Sequence, residues 1–320
     1  MILRGSFSAA AAVLLALTVS AVETPARAQT ALPGSIEIPC ATRVLEQSAD
    51  WYLPAGEPLG LVWIQHGFAR ANANVSALAT LFSEAGYLVF APSLPFMNFE
   101  GCTLQNLGDN SAFLYSVATL FGTADSPGGP LAASLEAAAA RAGVAAPAIP
   151  RETVFIGHSA GAEAVAFVAD RIRTAYPETW SRLRGLVLLD PVRSFLGDNI
   201  DRALRGIDPT GLPVLTIAAP PAPCNTFGVG TLAVQALLHR PFIGVRLPQG
   251  THTDAEGAST DLLGGTLCGG PDPASTAMLH TLTLGWTHDF LTGTITPELY
   301  PAADRLVVPA APAANILATT

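Results

Sequence analysis

The pentapeptide Gly157-His158-Ser159-Ala160-Gly161 flanks a serine with glycines two residues away on either side. A serine hydroxyl is a weak nucleophile at its ordinary pKa. It acts only with a base in hydrogen-bond reach and an acid that orients the base. The G-x-S-x-G spacing alone is a weak signal, because both residue types are common. Here an apolar run, Thr153–Ile156, precedes it, and a helical pattern, Ala160–Ala175, follows it. That strand–turn–helix setting is the one a nucleophile elbow requires, with the hydroxyl exposed at a helix N-terminus. The competing reading is an ordinary glycine-rich turn between a strand and a helix.

In such an arrangement the acid and then the base follow the nucleophile along the chain. Four histidines lie downstream: His239, His252, His280 and His288. His239 ends an apolar helical stretch, and His280 and His288 fall within the last helical pattern. His252 differs, because it lies in the loop Pro248-Gln249-Gly250-Thr251-His252-Thr253-Asp254 after the last apolar strand, so it is the expected base. The expected acid is Asp190, which directly follows the apolar run Gly185–Leu189. Its competing role is a turn residue before Pro191. The loop after the next strand, AAPPAPCNTFG, holds no acid, and Asp198, Asp201 and Asp208 follow no strand directly. Two backbone N–H groups are needed for the developing oxyanion. Ala160 supplies one, and Phe68, in the early strand-end loop His66-Gly67-Phe68, supplies the other. His66, Gly67, Phe96 and Phe99 are the expected substrate-facing residues, with ordinary loop packing as the alternative for the aromatics.

The elements that must carry these residues alternate. Leu59–Gln65, Tyr87–Ala91, Thr153–Ile156, Gly185–Leu189, Val214–Ala218 and Phe242–Leu247 are continuous apolar runs. Strands buried on both faces read this way, as in a mostly parallel, doubly wound α/β sheet. Asn74–Ala85, Ala160–Ala175 and Pro273–Leu291 read as helices flanking it. Three irregular stretches, 92–110, 124–130 and 219–230, break the alternation. The first and third follow strands at their carboxyl ends, where the loops of such a sheet build its site. The expected organisation is one domain over residues 29–300, followed by an Ala/Pro-rich tail, 301–320.

Arg4, the apolar run Ala9–Val22 and Ala26-Arg27-Ala28 form a secretory signal pattern over residues 1–28, with a cut after Ala28. The run is short of the roughly 18 residues that span a bilayer, so no stable membrane insertion is expected. Removing it takes away Arg4, Arg27 and Glu23, moving the net charge from −9 to −10. The product is expected outside the cytoplasm, secreted or periplasmic. In an oxidising compartment Cys40, Cys102, Cys224 and Cys268 allow two disulfides in three pairings. Cys40–Cys102 with Cys224–Cys268 keeps each bridge within one half of the chain. No C-x-x-C pair favours zinc. Half of the 320 residues are hydrophobic and 13% are charged, which excludes a disordered chain. With 25 acids against 16 bases and no basic block, nucleic acid is a poor partner.

Taken in order, H-G-F after an early strand, G-H-S-A-G, a strand-end acid and a late loop histidine resemble the α/β-hydrolase superfamily from about Leu59 to Leu291. G-H-S paired with Asp190-Pro191-Val192 is similar to the chlorophyllase group. H-G-F with G-H-S-x-G is similar to the secreted polyester hydrolase and lipase group. The departures are specific. The loop Gly250-Thr251-His252-Thr253-Asp254 has one residue more between Gly and His than the chlorophyllase group, and Ala160 stands where plant chlorophyllases carry arginine. The polyesterase group usually places its acid after the later strand, which here offers none. The resemblance implies two-step acyl transfer on a small-molecule or polymeric ester, with no metal and no cofactor. An amidase or peptidase on the same triad, a lipase with a lid over 92–110, and an exported binding protein are the competing readings.

Overall fold

The computed structural model describes residues 31–301, 305–306 and 314–319. The signal pattern over 1–28 lies outside the described residues. In chain order the elements are β1 (Ala31–Cys40), β2 (Arg43–Tyr52), β3 (Leu61–Gln65), α1 (Ser76–Glu84), β4 (Leu88–Pro92), α2 (Ser111–Gly122), α3 (Pro130–Ala142), β5 (Thr153–His158), α4 (Ala160–Ala175), α5 (Pro177–Trp180), β6 (Leu183–Leu189), α6 (Asn199–Ile207), β7 (Val214–Ala218), α7 (Val229–Leu237), β8 (Gly244–Arg246), α8 (Leu262–Cys268), α9 (Pro273–Thr292), β9 (Arg305–Leu306) and β10 (Ala314–Ile316). Among the described residues ten strands form one sheet in the order β1-β2-β4-β3-β5-β6-β7-β8-β10-β9. From β4 to β8 every neighbouring pair is parallel. The outer pairs on both sides are antiparallel.

The apolar runs form the parallel centre because helices cover both faces. Leu61, Trp63, Phe155, Leu186 and Leu188 face a core closed by α2, α3, α4 and α6. Val62, Ile64, Ile156, Val187 and Leu189 face the opposite core, closed by α1 and α9. Each central strand therefore buries side chains in both directions, which removes the alternation a one-sided strand shows. Helix α4 buries its first ten residues, Ala160–Ala169, because it lies between α2 and α6 on one cover layer.

The sequence reading misses β1 and β2. Proline and glycine interrupt Ala31–Cys40, and β2 carries the polar run Glu46-Gln47-Ser48 at its middle. As an antiparallel edge hairpin this segment tolerates both features. The last parallel strand is also shorter than expected, covering Gly244–Arg246. Part of the segment read as a tail returns to the sheet: Asn315 pairs with Arg246 and Ile316 with Val245, with Ala314 and Leu317 buried. Both expected disulfides are present. Cys40–Cys102 ties β1 to the 92–110 segment, and Cys224–Cys268 ties the 219–230 segment to α8. Among the described residues no helix is long and apolar enough to cross a membrane.

Candidate active site

The carboxyl ends of β3, β5, β6, β7 and β8 deliver the site. Ser159 sits between β5 and α4 with φ 58° and ψ −123°, a conformation that an L-residue reaches only under constraint. The two glycines of the pentapeptide explain how the turn closes. A β-carbon on Gly157 would lie 2.4 Å from the Gly161 carbonyl oxygen, and one on Gly161 would lie 2.4 Å from the His66 carbonyl oxygen. Gly67 meets the same turn from β3, where a β-carbon would lie 2.9 Å from that of Ser159. Glycine at these positions lets three backbone segments meet around one hydroxyl.

Asp190 ends β6 and is also in the left-handed region, with φ 41°. His252 follows β8 in a short 3-10 turn. The His252 Nδ1–H donates to Asp190 Oδ2 at 2.6 Å, and the Ser159 hydroxyl donates to His252 Nε2 at 3.0 Å. The carboxylate only accepts, which fixes this tautomer. All three side chains are buried. Asp190 is held in turn: the Ala219 N–H donates to Oδ1 at 3.0 Å, and Asn225 Nδ2 reaches Oδ1 and Oδ2 at 3.2 and 3.1 Å. Asn225 is itself locked, its Oδ1 accepting the Ala222 and Gly228 N–H groups.

The imidazole before the nucleophile is also placed. The His158 Nε2–H donates to the carbonyl of His252 at 2.9 Å, and the two rings lie 4.7 Å apart. Burial, then the neighbouring His252, pushes the His158 pKa well below the ordinary imidazole range. Beside it lies a buried ion pair. Arg70 donates from Nε and Nη2 to the two oxygens of Glu256, both at 2.7 Å, and from Nη1 to Asp261 at 3.0 Å.

Ala160 opens α4, and the first N–H groups of a helix have no intrahelical acceptor. Phe68 follows Gly67 on the other side of Ser159. A cavity of about 300 Å³ opens above the serine. Its walls are largely apolar, formed by Phe68, Val192, Phe195, Leu263 and Leu267 with the Cys224–Cys268 bridge. Gly67 lines it as expected. His66 does not: its ring is fully buried, its Nδ1–H donates to the Gly67 carbonyl at 2.7 Å, and burial pushes its pKa down to about 4. Phe96 stands one ring behind the wall, edge-on to Phe68 at 5.6 Å, and Phe99 projects fully into solvent. The physical reason is the fold of 92–110, pinned by Cys40–Cys102 and by Asn110 Nδ2 on the Thr103 and Leu104 carbonyls, so that Gln105 is its cavity-lining residue.

Sequence reasoning misses Asn225, Arg70, Glu256 and the buried Glu163. Glu163, four residues after Ser159, accepts the Ser194 N–H at 3.0 Å and the Ser194 hydroxyl, and burial raises its pKa. It anchors the loop after Asp190. Asn225 had a signal: a lone asparagine in a proline-rich loop devoid of acids, at the strand end beside Asp190. Arg70 and Glu256 are 186 positions apart and gave none.

No family model and no curated protein matches the chain. Solved structures do. A dienelactone hydrolase from Anabaena variabilis shares 13% identity at a TM-score of 0.52, covering 82% of this chain and 98% of that one. Est1E from Butyrivibrio proteoclasticus shares 13% at 0.51, covering 81% and 99%. One of two fungal esterases from Rhizomucor miehei shares 11% at 0.53, covering 83% and 86%. At these identities the likeness is one of fold, and the chain has the α/β-hydrolase fold.

Proposed function

We propose that this chain is an exported serine hydrolase of carboxylic esters, with Ser159 as nucleophile, His252 as base and Asp190 as the acid that orients it. The observation that carries this reading is the continuous relay from Asp190 Oδ2 to His252 Nδ1 at 2.6 Å and from His252 Nε2 to Ser159 Oγ at 3.0 Å. His252 takes the proton as Ser159 attacks the ester carbonyl. The Phe68 and Ala160 N–H groups hold the oxyanion, and His252 returns the proton to the leaving alcohol. Water, activated by His252, then attacks the acyl-serine and releases the acid. The hydrolase and esterase descriptions of the Anabaena and Rhizomucor fold neighbours support the ester assignment. The two disulfides support an oxidising compartment.

A second reading concerns the substrate's physical form. Phe195, Leu263 and Leu267 line the mouth and are 81%, 60% and 68% exposed. Exposed apolar groups around a cavity favour lipid or polyester substrates over dissolved ones. The test of the main reading is intact mass after quenching with p-nitrophenyl acetate: one acetyl group on wild type, located to Ser159, and none on Ser159→Ala. Unmodified wild type, or acetylation that survives the substitution, contradicts it. Rates on matched ester and amide substrates separate an esterase from an amidase.

A further inference from the structure

We propose that Arg70 and Glu256 are positioning residues: a buried strut that fixes the oxyanion loop against the loop carrying the base. The inference rests on the reading of Ser159 and His252 given above. Arg70 lies two residues beyond Phe68, and Glu256 four residues beyond His252. The fork of Arg70 grips both oxygens of Glu256 at 2.7 Å, a bidentate geometry that fixes angle as well as distance. Its remaining arm holds Asp261, the N-cap of α8, whose residues Leu263 and Leu267 form cavity wall. The pair also lies beside the elbow: Glu256 Oε1 is 4.0 Å from His158 Nδ1, beyond hydrogen-bond reach, and the opposite nitrogen of that ring donates to the His252 carbonyl. The oxyanion loop and the base loop therefore join through one ion pair, with the elbow's His158 beside it.

Two further observations bear on the strut. Ala69, between Phe68 and Arg70, has φ 56°, a left-handed conformation costly for alanine, so this turn relaxes when nothing holds it. Glu256 is buried and Arg70 half-buried, so the pair is partly shielded from solvent. A buried pair is a weak source of stability, since desolvation offsets the attraction. Fixed geometry is the advantage it retains here.

The charges also face the base. Around His252 stand Asp190 on Nδ1, Ser159 on Nε2 and His158 against the ring, with Glu256, Arg70 and His66 beyond His158. Asp254, in the same turn, faces Thr251 and the Asp272 N–H instead. Removing Glu256's charge exposes the imidazolium that forms during attack to Arg70. Removing Arg70's charge exposes it to Glu256. The acidic limb of the pH–rate profile must then move in opposite directions.

The experiment measures the rate at which a fluorophosphonate labels Ser159, a reaction that needs the nucleophile, base and oxyanion hole but no particular ester. Arg70→Lys keeps the charge and the fold but cannot bridge both oxygens, and labelling slows ~10-fold. Glu256→Gln slows it by a similar factor and moves the acidic limb about half a pH unit lower, while Arg70→Met moves it higher. With p-nitrophenyl butyrate the loss falls on kcat, with KM within about twofold. Variants that melt earlier yet label at the wild-type rate, with unmoved limbs, overturn the strut and leave the triad reading intact. Wild type that does not label at Ser159 overturns both.

Discussion

The two ends of the parallel sheet make a useful contrast. At the amino ends of the strands an open groove of about 760 Å³ is lined by Arg184, Asp208, His239, Arg240, Phe242 and Tyr300. It is larger than the cavity over Ser159, yet its polar groups serve the fold. His239 Nδ1 donates to Asp208 at 2.8 Å, Arg240 Nη2 donates to the Ile207 carbonyl at 3.1 Å, and Asp289 accepts the Thr296 N–H and hydroxyl at 2.8 Å. The carboxyl end is smaller, more buried and more strained. Among the described residues six non-glycine residues have positive φ, and five of them, Ala69, Ser159, Asp190, Thr226 and Phe227, lie in its loops. The proposed chemistry falls where the backbone is constrained and titratable groups are buried beside one another, not in the larger groove.

The contrast is sharpest at glycine. Gly161→Ala drives a β-carbon to within 2.4 Å of the His66 carbonyl oxygen and 2.5 Å of that of Gln65. We expect it to cost roughly 5 kcal/mol and to abolish activity, because the obstruction is backbone and cannot rotate away. Gly211→Ala, in the amino-end groove, meets nothing within 4 Å and should change stability by less than about 0.5 kcal/mol. Urea unfolding of both variants checks the pair, and equal costs would break the contrast.

The disulfides divide along the same line. Cys224–Cys268 forms cavity wall, whereas Cys40–Cys102 anchors the edge hairpin. Each closes a long loop, so removing either should cost about 4 kcal/mol in the chain-entropy account. Cys224→Ala should lower melting and activity together. Cys40→Ala should lower melting and leave the rate of the folded protein within about twofold. Unchanged melting and activity in Cys224→Ala would count against that bridge.

Burial of His66 gives a pH-dependent effect of about 3 kcal/mol. The unfolded imidazole titrates near ~6.5 and the folded one at about 4, so the unfolded state takes up the proton first as pH falls. Stability is full above the unfolded value and is lost as pH drops from there toward 4, with buried His158 acting in the same direction. Unfolding free energies at pH 7.5 and 5 should differ accordingly, and less so in His66→Asn. Asn225→Ala tests the support of Asp190. It removes a donor to both oxygens of Asp190, and kcat should fall about 10- to 30-fold with KM little changed.

Much of the carboxyl end was legible in the sequence, because Asp190 directly follows an apolar run and the other two proposed triad residues lie in the short turns or loops after such runs, whose continuity marks buried strands. The pentapeptide, Asp190 and His252 are local signals of this kind. The hairpin β1–β2 was not legible, since an edge pair carries proline, glycine and polar residues that mask its strands. Phe96 and Phe99 were misplaced because a loop's side-chain directions follow from its pins, here Cys102 and Asn110, and those act at long range. Arg70 and Glu256 belong to the same class: their pairing is a product of topology, with no spacing to reveal it.

The proposed function stands or falls with Ser159 as the nucleophile of an ester hydrolase. Its most direct test is hydrolysis of p-nitrophenyl esters from acetate to palmitate by purified wild type beside Ser159→Ala. We expect wild-type turnover that falls by ~10⁴-fold or more in the variant, with the fold unchanged by circular dichroism. A wild type inert on every ester, or a Ser159→Ala variant that keeps its rate, would contradict it.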